Sequence, residues 1–118
     1  MKSRIEELEI YKIALGLSDK IWKIVVGWEK FEKNTIGSQL IRAIDSVGAN
    51  LSEGYGRGNK TDNARFSKIA RGSLFETKHW LLLSHNRKLI SQEELNLIQN
   101  VIDNLLPRIS SYINYLKK

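Results

Sequence analysis

The strongest constraint in this chain is the period of its apolar residues. Four long segments repeat them every three to four positions, and none sustains an alternation of period two. That pattern predicts an all-α fold. Helix one is expected from about Ile5 to Trp28 and helix two from about Thr35 to Gly54. Helix three is expected from about Thr61 to Asn86, and helix four from Ser91 towards the C-terminus. Asn34 and Thr35 offer an N-cap for helix two, and Thr61 one for helix three, with Asp62 complementing the dipole of its first turn. Ser91 followed by Glu94 is a capping box for helix four. Pro107 falls inside that helix, removes a backbone donor and predicts a kink near Asp103–Leu106. The connections are short, so residues 1–118 are read as one antiparallel up-down-up-down four-helix bundle.

The core stripes follow from the spacing. Helix two offers Leu40, Ile44, Val47 and Leu51. Helix three offers Phe66, Ile69, Ala70, Ser73, Leu74, Thr77, Trp80 and Leu81. Helix four offers Leu95, Ile98, Val101, Ile102, Leu105, Ile109, Tyr112, Ile113 and Leu116. Helix one carries more apolar surface than a bundle core needs. Its apolar positions span an arc of roughly 220°, against the roughly 100° that faces a core. One edge is Ile10, Ile13, Leu17, Ile21, Ile24 and Trp28; the other is Leu8, Tyr11, Leu15, Trp22 and Val25. The second edge, with Phe75 and Leu82 on the outer side of helix three, predicts self-association into a ring-like homo-oligomer.

Charge is distributed unevenly. The net charge is +6, and residues 59–90 alone hold seven basic and two acidic side chains. The cluster Arg57, Lys60, Arg65, Lys68, Arg71, Lys78, Arg87 and Lys88 is the expected nucleic-acid-binding face. Glu53 and Arg71 are expected to pair and tie helix two to helix three.

Catalytic readings find little to stand on. There is no cysteine, hence no thiolate nucleophile, thiolate metal site or disulfide. The run Gly54-Tyr55-Gly56-Arg57-Gly58-Asn59-Lys60-Thr61 ends like a P-loop, but Asn59 stands where glycine should precede the lysine, and the run follows a helix. Glu76 and His79 have the spacing of a di-iron helix, but no second copy exists. No enzyme activity, metal or cofactor is expected. No apolar core follows Lys2 and Arg4 and no long charge-free apolar run exists, so a cytoplasmic protein with no membrane partner is expected.

Asn50-Leu51-Ser52-Glu53-Gly54-Tyr55-Gly56-Arg57 and Ile69-Ala70-Arg71-Gly72-Ser73-Leu74-Phe75-Glu76 together resemble a known family. The chain is similar, from about Leu8 to Leu116, to the four-helix-bundle proteins encoded in intervening sequences of bacterial 23S ribosomal RNA genes. The motif residues are Asn50, Glu53, Gly54, Gly56, Arg57, Arg71, Gly72, Ser73 and Glu76. Phe75, Thr77, Lys78 and His79 depart from the alanine, leucine and glutamate that many relatives carry after the second motif. The resemblance implies a homopentamer and kinship with accessory proteins of diversity-generating retroelements. Those form basic pentameric barrels that bind nucleic acid and a reverse transcriptase. The expected function is therefore non-catalytic binding of RNA or DNA by a homo-oligomer, with a reverse transcriptase as a protein partner. The alternative is a protein-interaction scaffold with no direct nucleic-acid role.

Overall fold

The computed structural model describes Ile5 and residues 8–118. Its long helices are α1 (Glu9–Val25), α2 (Ser38–Gly56), α3 (Lys60–Asn86) and α4 (Gln92–Leu116), and no strand occurs among the described residues. A helical turn at Lys30–Glu32 and a π-helical turn at Lys33–Gly37 lead into α2. α1 packs against α2 and α4, and α3 packs against the same two helices, so α1 and α3 sit diagonally. The bundle measures 46 × 22 × 21 Å. That length leaves room for one 27-residue helix, roughly 40 Å at 1.5 Å per residue, so the short connections fold successive helices back antiparallel.

The helix ends differ from expectation where local hydrogen bonding had alternatives. α1 is shorter than its apolar pattern: Leu8 is extended (φ −73°, ψ 123°) and stands at its N-cap, and after Val25 the chain tightens, with the Trp28 N–H on the Val25 carbonyl at 2.9 Å. Glu6 and Glu7, in the expected first turn, lie outside the described residues. Asn34 and Thr35 do not cap helix two. The Thr35 hydroxyl donates back to the Phe31 carbonyl at 2.7 Å inside the π-turn, the option a hydroxyl always has against capping forward. Helix three is capped by Asn59 and not by Thr61: the Asn59 Oδ1 accepts from the Asp62 N–H at 2.8 Å. Gly58 precedes it at φ 82°, a left-handed conformation that glycine adopts without steric cost. The Ser91–Glu94 capping box forms as expected, with bonds of 3.0 and 2.9 Å, and α4 continues through Pro107. At its far end, α3 closes in a Schellman cap, with Leu89 N–H on the Ser84 carbonyl at 2.9 Å. Lys88 takes the left-handed position there, at φ 63°.

The stripes of α2 and α4 are largely as predicted; Val101, at 38% exposed, faces outward. α3 is rotated relative to the prediction. Its inward residues are Asn63, Ser67, Ala70, Leu74, Thr77, Leu81 and Ser84, spaced alternately four and three apart as in a coiled-coil seam. Ile69 is 45% exposed, while Phe66, Ser73 and Trp80 are only partly buried. The polar members of the seam are hydrogen-bonded within α3 or to Tyr112. Thr77 Oγ1 donates to the Ser73 carbonyl at 2.8 Å and Ser84 Oγ to the Trp80 carbonyl at 2.7 Å. Asn63 Nδ2 donates to the Tyr112 hydroxyl at 2.9 Å. Small side chains along this seam let α2 approach closely. At Gly54 a Cβ would stand 2.9 Å from both the Asn63 Oδ1 and the Phe66 Cβ.

Two identical substitutions should therefore act oppositely. Gly54→Ala overpacks the α2–α3 contact and should destabilise the fold by about 1–3 kcal/mol. Gly16→Ala, on the exposed side of α1 with nothing within 4 Å, should stabilise it by about 1 kcal/mol. Urea midpoints of the two variants measure both signs.

Candidate nucleic-acid interface

Antiparallel packing brings three helix ends together: the C-terminus of α2, the N-terminus of α3 and the C-terminus of α4. Arg57, Lys60, Arg65 and Lys68 meet there, joined by Lys117 and Lys118. A surface groove of about 560 Å³ is lined by Lys60, Arg65, Lys68, Lys117 and Lys118 together with Thr61, Ala64 and Leu116. Sequence reasoning missed the two terminal lysines. They are far from the other cations along the chain, although an antiparallel α3–α4 pair must place them at the start of α3.

The two arginines are held in place. Arg57 and Arg65 both stack on the Phe66 ring, their guanidinium carbons 4.9 and 4.4 Å from its centroid. Arg57 Nε also donates to Glu53 at 2.9 Å, and Arg65 approaches Asp62 at 3.6 Å. Each guanidinium retains further donors for an anion while resting over the Phe66 ring. Among the described residues, no ion pair engages Lys60, Lys68, Lys117 or Lys118. The end of the bundle therefore combines oriented arginines with uncompensated lysines.

The remaining predicted cations lie elsewhere. Arg71 is half-buried and donates to Ser110 Oγ at 3.1 Å. The expected Glu53–Arg71 pair is absent, because Glu53 is taken by Arg57 one turn along its own helix and Arg71 turns towards α4. Lys78 is bound to Asp103 at 2.8 Å across the α3–α4 interface. Arg87 and Lys88 stand at the opposite end of α3, roughly 40 Å from Lys60 at 1.5 Å per residue.

The apolar edge also divides. Leu15 (45%), Trp22 (56%), Phe75 (56%) and Leu82 (46%) are exposed as expected. Leu8 and Tyr11 are half-buried against the subunit's own core. Val25, placed on the outer edge from the sequence, is 1% exposed within that core and is corrected to an internal residue. The α1 axis is turned so that Ala14 and Val25 face inward. Val26, at 45% exposed, extends the outer stripe in its place.

Several motif residues have structural roles. Asn50 Nδ2 donates to the Ser46 carbonyl at 2.8 Å, Glu53 pairs with Arg57, and Gly54 permits the α2–α3 approach. The Ser73 carbonyl accepts from Thr77, and Glu76 accepts from Trp80 Nε1 at 3.1 Å. Gly56 and Gly72 have nothing within 4 Å of the place a Cβ would take. Among the described residues no group of three or more potential metal ligands is brought together, and no helix is long and apolar enough to cross a membrane.

The family model described as the 23S rRNA-intervening sequence protein matches residues 6–111. The chain belongs to that family. No curated protein matches this 23S rRNA-intervening sequence protein significantly. Among solved structures it is similar to a protein of unknown function from the S23 ribosomal protein family of Bacteroides thetaiotaomicron. The two share 24% identity, with a TM-score of 0.78 over 88% of this chain and 97% of that one, which bears on the fold alone.

The end of the bundle also has a titratable reporter. Burial pushes the Tyr112 hydroxyl above its usual pKa, offset in part by the Asn63 hydrogen bond, and Tyr55 and Tyr115 nearby push it further up. A raised folded-state pKa means that this group's contribution is complete below the unfolded value, about 10, and is lost as pH rises through the folded value. Tyr112→Phe should cost about 1 kcal/mol at neutral pH through the lost bond. The gap between wild type and variant should narrow above about pH 10, as followed by urea denaturation across pH.

Proposed function

We propose that this intervening-sequence protein binds nucleic acid, RNA or DNA, without catalysis, as a ring-like homo-oligomer. The observation that carries the binding reading is the basic end of the bundle. Lys60, Lys68, Lys117 and Lys118 stand there without acidic partners, beside Arg57 and Arg65 stacked on Phe66. Phosphate contacts of this kind dominate affinity for nucleic acids and release counterions. Exposed aromatic and arginine planes add stacking surface that simple salt neutralisation does not need.

Self-association draws support from two apolar patches. On α3, Gly72, Phe75, His79 and Leu82 follow one another three or four residues apart along the exposed side. A glycine inside a helix costs about 1 kcal/mol relative to alanine, and nothing within the subunit requires Gly72. A close-approaching helix of a neighbour would. On α1, Leu15, Trp22 and Val26 form a second exposed stripe. It continues into a groove of about 660 Å³ that holds Asp19, Asp45 and Glu53 beside Gly48, Ala49 and Ser52. Because α1 and α3 are diagonal, the two patches face away from each other. Such patches suit head-to-tail contacts, which form rings where the rotation between neighbours closes. A count of five and a reverse-transcriptase partner are what the resemblance to retroelement accessory proteins implies.

Lys68→Glu with Lys117→Glu should weaken binding to RNA or DNA and reduce the slope of log K against log salt by about one per lost contact. Arg87→Glu with Lys88→Glu should change neither. Fluorescence anisotropy over a salt series reads both. Failure of the wild-type protein to bind RNA or DNA even at low salt, alongside capture of a specific protein, would favour the scaffold reading, in which the cations only maintain solubility. For assembly, Trp22→Asp and Leu82→Asp should each give monomers, and their mixture should give heterodimers, because each variant keeps one intact patch. Light scattering gives the molar masses. A dimer that persists in Leu82→Asp would indicate a two-fold α1 contact in place of a ring.

A further inference from the structure

Beside the lysine groove lies a second cleft of about 480 Å³, within the roughly 300–1,000 Å³ typical of small-ligand sites. Tyr55, Tyr112 and Tyr115 all line it, contributing three of the chain's four tyrosines from two different helices. Tyr115 is 58% exposed, and Lys60 rests over its ring at 5.3 Å. Tyr112 accepts a hydrogen bond from Asn63, so its own hydroxyl proton stays free for an acceptor in the cleft. Lys60 belongs to both grooves, so the cleft opens directly onto the cationic surface.

We propose that this cleft receives an unpaired nucleotide of a single-stranded nucleic acid, its base stacked on Tyr115 and its phosphate on Lys60. The proposal rests on the nucleic-acid-binding reading and narrows it to single strands. A base inside a duplex is stacked on both faces and cannot reach a tyrosine ring, whereas an unpaired base can leave the strand and stack on one. Stacking on a bare ring accepts any base. The cleft offers a π-face, an ammonium and a few tyrosine hydroxyls, with no bidentate pair that would read one base's edge, so it selects for strandedness more than for sequence. Displacing Lys60 gives up one exposed cation–π contact. When a base takes the ring face, the ammonium exchanges its cation–π contact for a phosphate beside it.

The experiment compares an oligouridine strand with an RNA duplex of matched phosphate count, using the full-length protein. Tyr115→Ala should weaken binding of the single strand roughly 5- to 150-fold, the range of one base–aromatic stack, and leave duplex binding unchanged. Tyr115→Trp should retain single-strand affinity, since it keeps a stacking face. Tyr115 is exposed, so both variants should keep the wild-type unfolding midpoint. The proposal is overturned if Tyr115→Ala binds oligouridine as wild type does while Lys68→Glu weakens both probes; nucleic-acid binding then survives and the cleft has no part in it. Equal losses on strand and duplex would also overturn it, by showing that Tyr115 serves the surface and not an unpaired base. No binding of either probe by the wild-type protein would remove the parent reading as well.

Discussion

Everything in this bundle follows from how closely α3 can approach its neighbours. Its inward seam alternates four and three residues through Asn63, Ser67, Ala70, Leu74, Thr77, Leu81 and Ser84. Most of these are small, and their polar atoms bond to their own helix or to Tyr112, so they can be buried without an unsatisfied group. Gly54 on α2 lies against Asn63 and the Phe66 Cβ of α3, so the missing side chain on α2 lets the two helices approach closely there. Leu40, Ile44, Ile98, Ile102 and Ile109 then fill the space between the helices.

That seam has a consequence for the surface. With small residues turned inward, the large residues of α3 are displaced outward: Ile69, Phe75 and Leu82 are each about half exposed. Phe66 is left at the edge, where it becomes the platform for Arg57 and Arg65. The same rotation sends Lys78 to Asp103 and Arg71 to Ser110, removing both from the free cations. One packing choice in the core thus sorts the basic residues into those that hold the bundle together and those that face a partner.

Much of the fold was legible in the chain. The period of apolar residues gave the four helices, Ser91 and Glu94 gave the start of α4, and the stripes of α2 and α4 are rich enough in leucine and isoleucine to point inward unambiguously. On α3, Ala70, Leu74, Thr77 and Leu81 face inward as expected, but hydropathy favoured Phe66, Ile69 and Trp80 over Asn63, Ser67 and Ser84. The heptad spacing of those small residues was present, but spacing without hydrophobicity is a weak signal. Caps were misassigned for a similar reason: Asn59, Thr61 and Thr35 all have capping side chains, and only the local backbone decides which one caps.

The sequence by itself determined that the chain is helical, where most helices begin and end, and that its positive charge gathers around the third of them. These are local properties, set by neighbours a few residues apart. Only the tertiary structure decided the rotation of α3 about its axis, and with it which cations join Lys117 and Lys118 beside the tyrosines of α2 and α4. That rotation is fixed by how near two backbones can come when glycine and small side chains face each other, a quantity that belongs to pairs of helices and is written in neither one alone.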